Sequence, residues 1–462
     1  MPLLLLRLAC LIFLLCLGTP TCAKQQCRLV LNAQLGDSSN PQAPLSATPT
    51  SSGPPSTSTT SLPTLAPFKY GQDIVRGVNL GGWFVLEPWI TPSIFEATNN
   101  GDIIDEYTFG GMQDYNHALD VLQTHWDTWI TEDDFVAIKN AGLNHVRMQV
   151  GYWSVPITTA DTNFTTSTDP YIPGAWPYLL RALGWARQHG IHVILDLHGA
   201  PGSQNGYDNS GRLGGANWAK GNNVSRTVDI VRFIAAQIGG MIDVLELINE
   251  AGGWQSNIAA IVRDFFTDGY DAVRSVSGTD LKVMIGDAFL GVANWDGFLT
   301  PPSGQGVLMD FHEYQIFNYD QLAMTQDEHI NYSCSVLDTL KTYAQSNLYT
   351  ISGEWSNAIT DCAKWLNGRG VGARWDGTWQ AGQQTFGNCD GYTGNMSTFS
   401  DDYKTFLRKY FESQVAIGEA VQGWTFWTWK AENADDWSYQ KGLEGGWIPQ
   451  DPTDRKYPDI CS

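Results

Sequence analysis

From Phe68 onward, short apolar runs alternate with longer amphipathic stretches. The runs are VRGVNL (75–80), HVRMQV (145–150), HVILDL (192–197), DVLELI (243–248), KVMIGDAF (282–289), VLMDFHE (307–313), YTISGE (349–354) and VQGWTFW (421–427). Apolar runs of this length predict buried strands. The intervening segments 132–141, 176–188, 227–237, 257–276, 334–344 and 402–414 predict helices. Strands alternating with helices imply a parallel sheet covered on both faces. Eight such strands predict an α/β fold of one kind, a closed (β/α)8 TIM barrel with long loops at the C-terminal face of the strands. An open doubly wound sheet shares the alternation. Its glycine-rich phosphate loop is missing here, because the first strand runs into NLGGWFVLEPW.

In a barrel, the residues at the C-terminal strand ends meet in one mouth. Those ends read Glu87 beyond the first strand, Arg147 in the second and His198 after the third. The fourth ends in Asn249 and Glu250, the sixth in His312 and Tyr314, the seventh in Glu354, and the eighth carries Trp427 and Trp429. Glu250 and Glu354 each terminate an apolar strand, and a buried carboxylate is costly unless solvated, paired or used. Two opposed carboxyl groups are the minimum equipment for cleaving a glycosidic bond, one holding a proton and one ionised. Proximity raises one pKa relative to the other, and Arg147 beside a carboxylate favours its charged form. As plain structural residues, the two would be helix-capping or salt-bridged glutamates.

Other chemistries fit less well. His198 and His312 stand alone on their segments and no HExxH occurs, so no metal or cofactor is expected. No GxSxG occurs, and Ser352 differs from Glu354 only in depth, since period two puts both on one face of the strand.

Composition narrows the substrate. The formal net charge is −21 with only 27 Lys plus Arg, so nucleic acid and anionic membranes are poor partners. Of 19 Trp, 18 Tyr and 19 Phe, the Trp exceed what a core usually needs; aromatic rings offer flat faces to sugars, although a large aromatic core accounts for the excess equally.

The N-terminus has its own organisation. Residues 1–22 contain a short apolar stretch from Leu8 to Leu17 before small residues, which predicts a secretory signal peptide, with a short anchor as the competing reading. Residues 23–67 are dominated from Gly36 by Pro, Ser and Thr and predict an extended stalk or propeptide. Residues 68–462 form the expected catalytic unit. No later stretch is apolar enough for a membrane anchor, and nothing in the pattern demands more than a monomer. Cys334, Cys362, Cys389 and Cys461 allow three pairings in an oxidising compartment, and Cys27 is left over. Asn163, Asn223, Asn331 and Asn395 head glycosylation sequons expected in exposed loops.

The ordered set GVNLGGWFVLEPW, NHVRMQVGYW, LDLHGAPGSQNGYDNSG, LELINEA, DFHEYQIF, ISGEWS and GWTFWTWK resembles the fungal exo-β-1,3-glucanases of glycoside hydrolase family 5, from about residue 68 to the end. The resemblance implies a retaining double displacement with Glu250 as acid/base and Glu354 as nucleophile. It implies that Asn249 holds the sugar 2-hydroxyl, that Arg147 keeps Glu354 ionised, and that His198, His312 and Tyr314 complete a polar wall. Glu87 and Asn205 would bind the terminal glucose, and Trp427, rather than Trp429, would form its floor. Phe317 and Tyr207 would clamp the next unit, with tyrosine standing where phenylalanine is familiar. The implied disulfides are Cys334–Cys461 and Cys362–Cys389. The implied partners are β-1,3-glucan and glucosyl acceptors, met outside the cell or at the cell wall. An endo-β-glucanase, a β-1,6- or β-1,4-glucosidase, and a non-catalytic cell-wall carbohydrate-binding protein are the alternatives.

Overall fold

A computed structural model describes residues 65–158 and 169–462. The expected signal peptide and almost all of the Pro/Ser/Thr-rich stretch lie outside the described residues, as do Cys27 and Asn163.

Eight strands form in chain order: β1 Val75–Asn79, β2 His145–Gly151, β3 His192–Gly199, β4 Val244–Glu246, β5 Lys282–Gly286, β6 Val307–Glu313, β7 Tyr349–Trp355 and β8 Gly423–Phe426. Each pairs in parallel with the next, and β8 returns to β1 to close the barrel. The eight apolar runs are the eight strands. β4 is shorter than its run, because the chain leaves the ladder soon after Glu246.

The barrel interior changes character along its axis. Val75, Ile194, Val244, Met284, Leu308 and Ile351 form one apolar cluster, with Phe68 and Tyr70 packed against it. Side chains alternate across a strand, so the next inward positions lie two residues on. On β3, β4 and β6 these are Asp196, Glu246 and Asp310, all buried. The C-terminal half of the barrel is therefore polar.

β7 breaks the simple alternation. Ile351 belongs to the inner cluster, so Ser352 faces the other way. The β6 register then pairs Phe311 with Ser352 but His312 with Glu354, skipping Gly353. This irregularity turns Glu354 inward, so Ser352 and Glu354 do not share a face as strict period two would have it. Gly353 is required there, since a Cβ would lie 2.0 Å from Asp310 Oδ1.

The helices largely follow the amphipathic pattern. Trp176–Gln188 and Glu132–Asn140 form where expected. The segment 257–276 is two helices, Ser256–Ala259 and Val262–Arg274. Gln326–Ser346 starts eight residues before the predicted position 334, because Thr325 and Glu328 make a reciprocal cap. The long loop after β1 holds three helices not anticipated: Pro92–Ala97, Glu106–Gly111 and Tyr115–Thr128.

Cys334 is bonded to Cys461 and Cys362 to Cys389. Of the sequons, Asn395 lies exposed before the short turn Met396–Thr398. Asn331 lies exposed within a helix, and Asn223 opens another helix with its amide donating to the Asn217 carbonyl at 3.0 Å, so neither is in a loop. Among the described residues, no helix is long and apolar enough to cross a membrane.

Candidate active site

Arg147 stands at the centre of the polar half, wholly buried. Its Nη1 donates to Glu354 Oε1 at 2.8 Å and to Asn79 Oδ1 at 3.1 Å. Its Nε donates to Glu246 Oε2 at 2.8 Å and its Nη2 to Asn249 Oδ1 at 2.9 Å. Asp196 Oδ2 lies 3.1 Å and Asp310 Oδ2 3.9 Å from Nη2. Burial alone would lower the guanidinium pKa, but these carboxylates outweigh it and fix the charge in place.

Glu250 and Glu354 face each other across His312. One carboxylate oxygen of each and a ring nitrogen of His312 all lie within 4.8 Å of one another. His312 Nδ1 is 2.9 Å from Glu250 Oε1 and 3.6 Å from Glu354 Oε2, and its Nε2 is 3.1 Å from Asp310 Oδ2. Asn209 donates to Glu250 Oε2 at 2.9 Å, and the Tyr314 hydroxyl donates to Glu354 Oε2 at 3.0 Å. Glu250 sits at φ +45°, a left-handed conformation that non-glycine residues adopt at some cost.

The electrostatics depart from the simplest expectation. Burial pushes Glu354 above the usual carboxylate range, and the opposing charges of His312 and Arg147 do not fully reverse it. Arg147 lowers Glu354 only in part, its one charge being divided among Glu354, Glu246, Asp196 and Asp310. Burial also acts on Glu250, but the hydrogen bond and charge of His312 outweigh it and hold Glu250 low. Burial would lower His312, yet Glu354 and Asp310 raise it well above the ordinary histidine value. The same carboxylates thus favour a charged His312, whose Nδ1 lies 2.9 Å from Glu250 Oε1.

Several buried polar atoms around this cluster have no protein partner among the described residues: Glu87 Oε1, His198 Nε2, Asn249 Nδ2 and Asp208 Oδ2. Such atoms are costly to bury unpaired, so each is open to a hydrogen bond with a bound group. Glu87 takes the Trp89 indole N–H at 2.9 Å on its other oxygen, and burial together with Asp208 raises its pKa strongly. Burial pushes Asp208 up to about 7. His198 is oriented by Asp196 at 2.6 Å and stacks on Trp427 with centroids 5.6 Å apart and planes at 10°. Trp429 is fully buried and donates to Asp134 at 2.8 Å, so it is committed elsewhere.

Asn205 lies beside the site rather than on the two glutamates. Its oxygen takes the Tyr207 amide at 2.9 Å and its nitrogen donates to Asn209 at 3.2 Å. Asn209, not singled out from the sequence, makes the contact to Glu250. Tyr207 and Phe317 are each 46% exposed. Also missed were Asn79, Gln204, Asp196, Glu246 and Asp310. Gln204 ties the His198 and Asn249 carbonyls together at 2.7 and 2.9 Å.

A closed parallel barrel that brings two glutamates together across its C-terminal mouth defines a (β/α)8 glycoside hydrolase. Comparison with known proteins makes the class particular. The model of the cellulase family, glycosyl hydrolase family 5, matches residues 110–367. A glucan 1,3-β-glucosidase of Blumeria graminis is 44% identical over 401 residues, covering 85% of this chain and 91% of that protein. A probable glucan 1,3-β-glucosidase A of Aspergillus fumigatus is 42% identical, covering 84% and 90%. The Candida oleophila glucan 1,3-β-glucosidase is 40% identical, covering 85% and 92%. The chain belongs to glycosyl hydrolase family 5, among the fungal glucan 1,3-β-glucosidases. The rutinosidase of Aspergillus niger shares the fold, with TM-score 0.63 at 18% identity, covering 83% of this chain and all of that one.

Proposed function

We propose that this protein is an exo-acting β-1,3-glucosidase that releases glucose from the non-reducing ends of β-1,3-glucans with retention of configuration. The carrying observation is the approach of the two carboxylates, with oxygens within 4.8 Å. Retaining enzymes hold their carboxyl groups about 5–5.5 Å apart, whereas inverting enzymes leave about 6.5–9.5 Å for a water.

Glu354 is the nucleophile. Its carboxylate attacks C1, the glycosidic C–O bond breaks, and a glucosyl ester forms. Arg147 and the Tyr314 hydroxyl aim it. Glu250 delivers the proton to the departing oxygen, and His312 Nδ1, 2.9 Å from Glu250 Oε1, holds that carboxyl in place. In the second step Glu250 takes a proton from water, water attacks C1, and the ester bond breaks. A sugar hydroxyl in place of that water gives transglucosylation. Asn249 meets the 2-hydroxyl, Glu87 the terminal hydroxyls, and Trp427 supports the apolar ring face. The chain's own residues suffice for each step, so the mechanism calls on no cofactor. The two disulfides and the N-terminal sequence support secretion, to the medium or the cell wall.

The early product profile on a linear β-1,3-glucan tests this reading, with Glu354→Gln as control. Glucose alone, absent from the control, is expected. A ladder of oligosaccharides would replace exo with endo action. Turnover only of β-1,4- or β-1,6-linked substrates would move the linkage.

A further inference from the structure

The long segment 356–395 that follows β7 reaches across to the loops after β1 and β3. Arg369 makes the joint to the first. Its Nη1 donates to the Asn100 carbonyl at 2.9 Å and also to the Ile103 carbonyl. The guanidinium carbon lies 5.1 Å from the Trp365 ring centre and 5.8 Å from that of Phe95. Lys364 pairs with Glu96, on the same short helix as Phe95. Toward the β3 loop, a Cβ on Gly368 would lie 4.0 Å from Leu213 Cδ2.

Other joints extend this wall. The Leu213 amide donates to Asp105 Oδ2 at 2.7 Å and the Tyr107 amide to the Gly211 carbonyl at 2.9 Å, which ties the β3 loop to the β1 loop. Beyond β8, Glu432 takes the Ser93 amide at 3.0 Å, and its own amide donates to the Ile90 carbonyl at 2.9 Å. The loops after β1, β3, β7 and β8 are thus connected, and three of them carry Glu87, Asp208 and Trp427. Trp365 links the β7 segment to those residues. It packs against the buried cluster that holds Trp89, Trp427 and Trp437, and Trp89 donates to Glu87 at 2.9 Å. Trp365 adopts left-handed backbone, φ +67°, a costly conformation that persists only where its surroundings hold it.

The two polar contacts of the β7 segment with the β1 loop differ in weight. Lys364 and Glu96 have side chains 48% and 51% exposed, and surface pairs of this kind contribute little. Arg369 instead gives one charged N–H group to two backbone carbonyls, a stronger and more directional contact. A wall behind the terminal sugar confines an enzyme to chain ends, whereas a gap there lets a chain run through. We propose that Arg369 is a specificity-determining residue, the latch that keeps the β7 segment against the β1 loop and so excludes internal stretches of the glucan. This rests on the exo activity proposed above and assigns its chain-end preference to one side chain. Arg369 acts through Trp365 and the β1 loop, so it is a positioning residue.

The test uses a linear β-1,3-glucan before and after periodate oxidation and borohydride reduction. Internal 1,3-linked units have no vicinal diol, so the treatment destroys only the chain ends. Cleavage rates and products on both chains are compared for the native protein, Arg369→Ala, Arg369→Met and Arg369→Lys. The native protein releases glucose from the intact chain and leaves the oxidised chain nearly untouched. Arg369→Ala narrows the ratio of the two rates by about tenfold, as loss of charge-assisted hydrogen bonds implies, and releases oligosaccharides from the oxidised chain. Arg369→Met keeps the packing on Trp365 and Phe95 and removes only the donors, so it carries the same comparison should the alanine variant unfold. Arg369→Lys keeps a charged donor and restores most of the ratio. An unchanged ratio with glucose as sole product in the Ala and Met variants overturns the latch and leaves the exo activity standing. An equal loss on both chains reduces Arg369 to a folding contact and overturns it too. A native protein that cuts both chains equally into oligosaccharides sinks the exo reading, and the latch with it.

Discussion

Arg147 Nη1 donates to Glu354 Oε1 at 2.8 Å while the same guanidinium faces Glu246, Asp196, Asn79 and Asn249. A planar fork satisfies these partners together, and an ammonium cannot. Arg147→Lys keeps the charge but loses the geometry. It is expected to lower kcat by about a hundredfold, equivalent to about 2.7 kcal/mol of lost alignment, with a smaller change in KM. Arg147→Ala leaves buried carboxylates uncompensated and should cost about 3–5 kcal/mol of stability. Steady-state kinetics and denaturant unfolding separate the two effects. Unchanged kcat in Arg147→Lys would remove Arg147 from the alignment of Glu354.

The roles of the two glutamates are separable by leaving group. Glu250→Ala should lower glucan hydrolysis by about 10²–10⁴-fold. It should spare the first step on a dinitrophenyl β-glucoside, whose leaving group needs no proton. Added azide should then give the β-glucosyl azide. Glu354→Ala should abolish both activities, and azide should give the α-product. The test matters because His312 holds Glu250 low while burial raises Glu354. The mirror-image result would exchange the two roles.

That electrostatic picture gives His312 a pH signature. Its charge opposes the effect of burial on Glu354, 3.6 Å away. His312→Asn keeps an amide near Glu250 but removes the charge. Glu354 then rises further, and its ionised form, which the proposed first step needs, is lost at a higher pH on acidification. The acid limb of kcat/KM should move to higher pH. An unmoved limb would mean that His312 is neutral in the working enzyme.

The strands, the barrel and much of the mouth were legible because most of the apolar runs carry a polar or aromatic site residue within them or just beyond their ends. The layer below was present in the same strings, as Asp196, Glu246 and Asp310 inside HVILDL, DVLELI and VLMDFHE, but an acid within a strand has no meaning until Arg147 is placed among all three. Tyr115–Thr128 went unread although its pattern was there: Ala118, Leu122, His125 and Trp126 make one buried stripe behind the cap of Asp114. Asn209 was overshadowed by Asn205 in the same asparagine-rich turn, where only the fold decides which amide reaches Glu250. The skipped residue in β7 was not legible, because a register shift leaves no mark in a period-two pattern.

Gly353 makes that register shift testable. A methyl group there would lie 2.0 Å from Asp310 Oδ1 and displace the carboxylate from His312 and Arg147. Gly353→Ala should cost about 1–3 kcal/mol as overpacking and lower kcat at temperatures where the protein stays folded. Native activity and stability in this variant would show that the Asp310 carboxylate has room to move.

Glu313 ties stability to pH away from the chemistry. It is 9% exposed, and its hydrogen bond from Gln315 Nε2 is 3.3 Å long. Burial pushes it from 4.5 up to about 8, only partly opposed by that bond. A carboxyl raised on folding stabilises the native state fully below its unfolded value of 4.5. That contribution is lost as pH climbs from 4.5 to about 8, because the unfolded chain ionises freely and the folded one does not. One such group gives a slope of about 1.4 kcal/mol per pH unit. Glu313→Gln keeps an acceptor for Gln315 and removes the titration. Urea unfolding at pH 5, 6.5 and 8, each about midway or at the ends of that window, should therefore show a shallower decline for the variant than for the native protein, with its advantage greatest at the highest pH. Parallel declines would mean that Glu313 is already ionised in the folded protein, held by a contact stronger than the Gln315 amide.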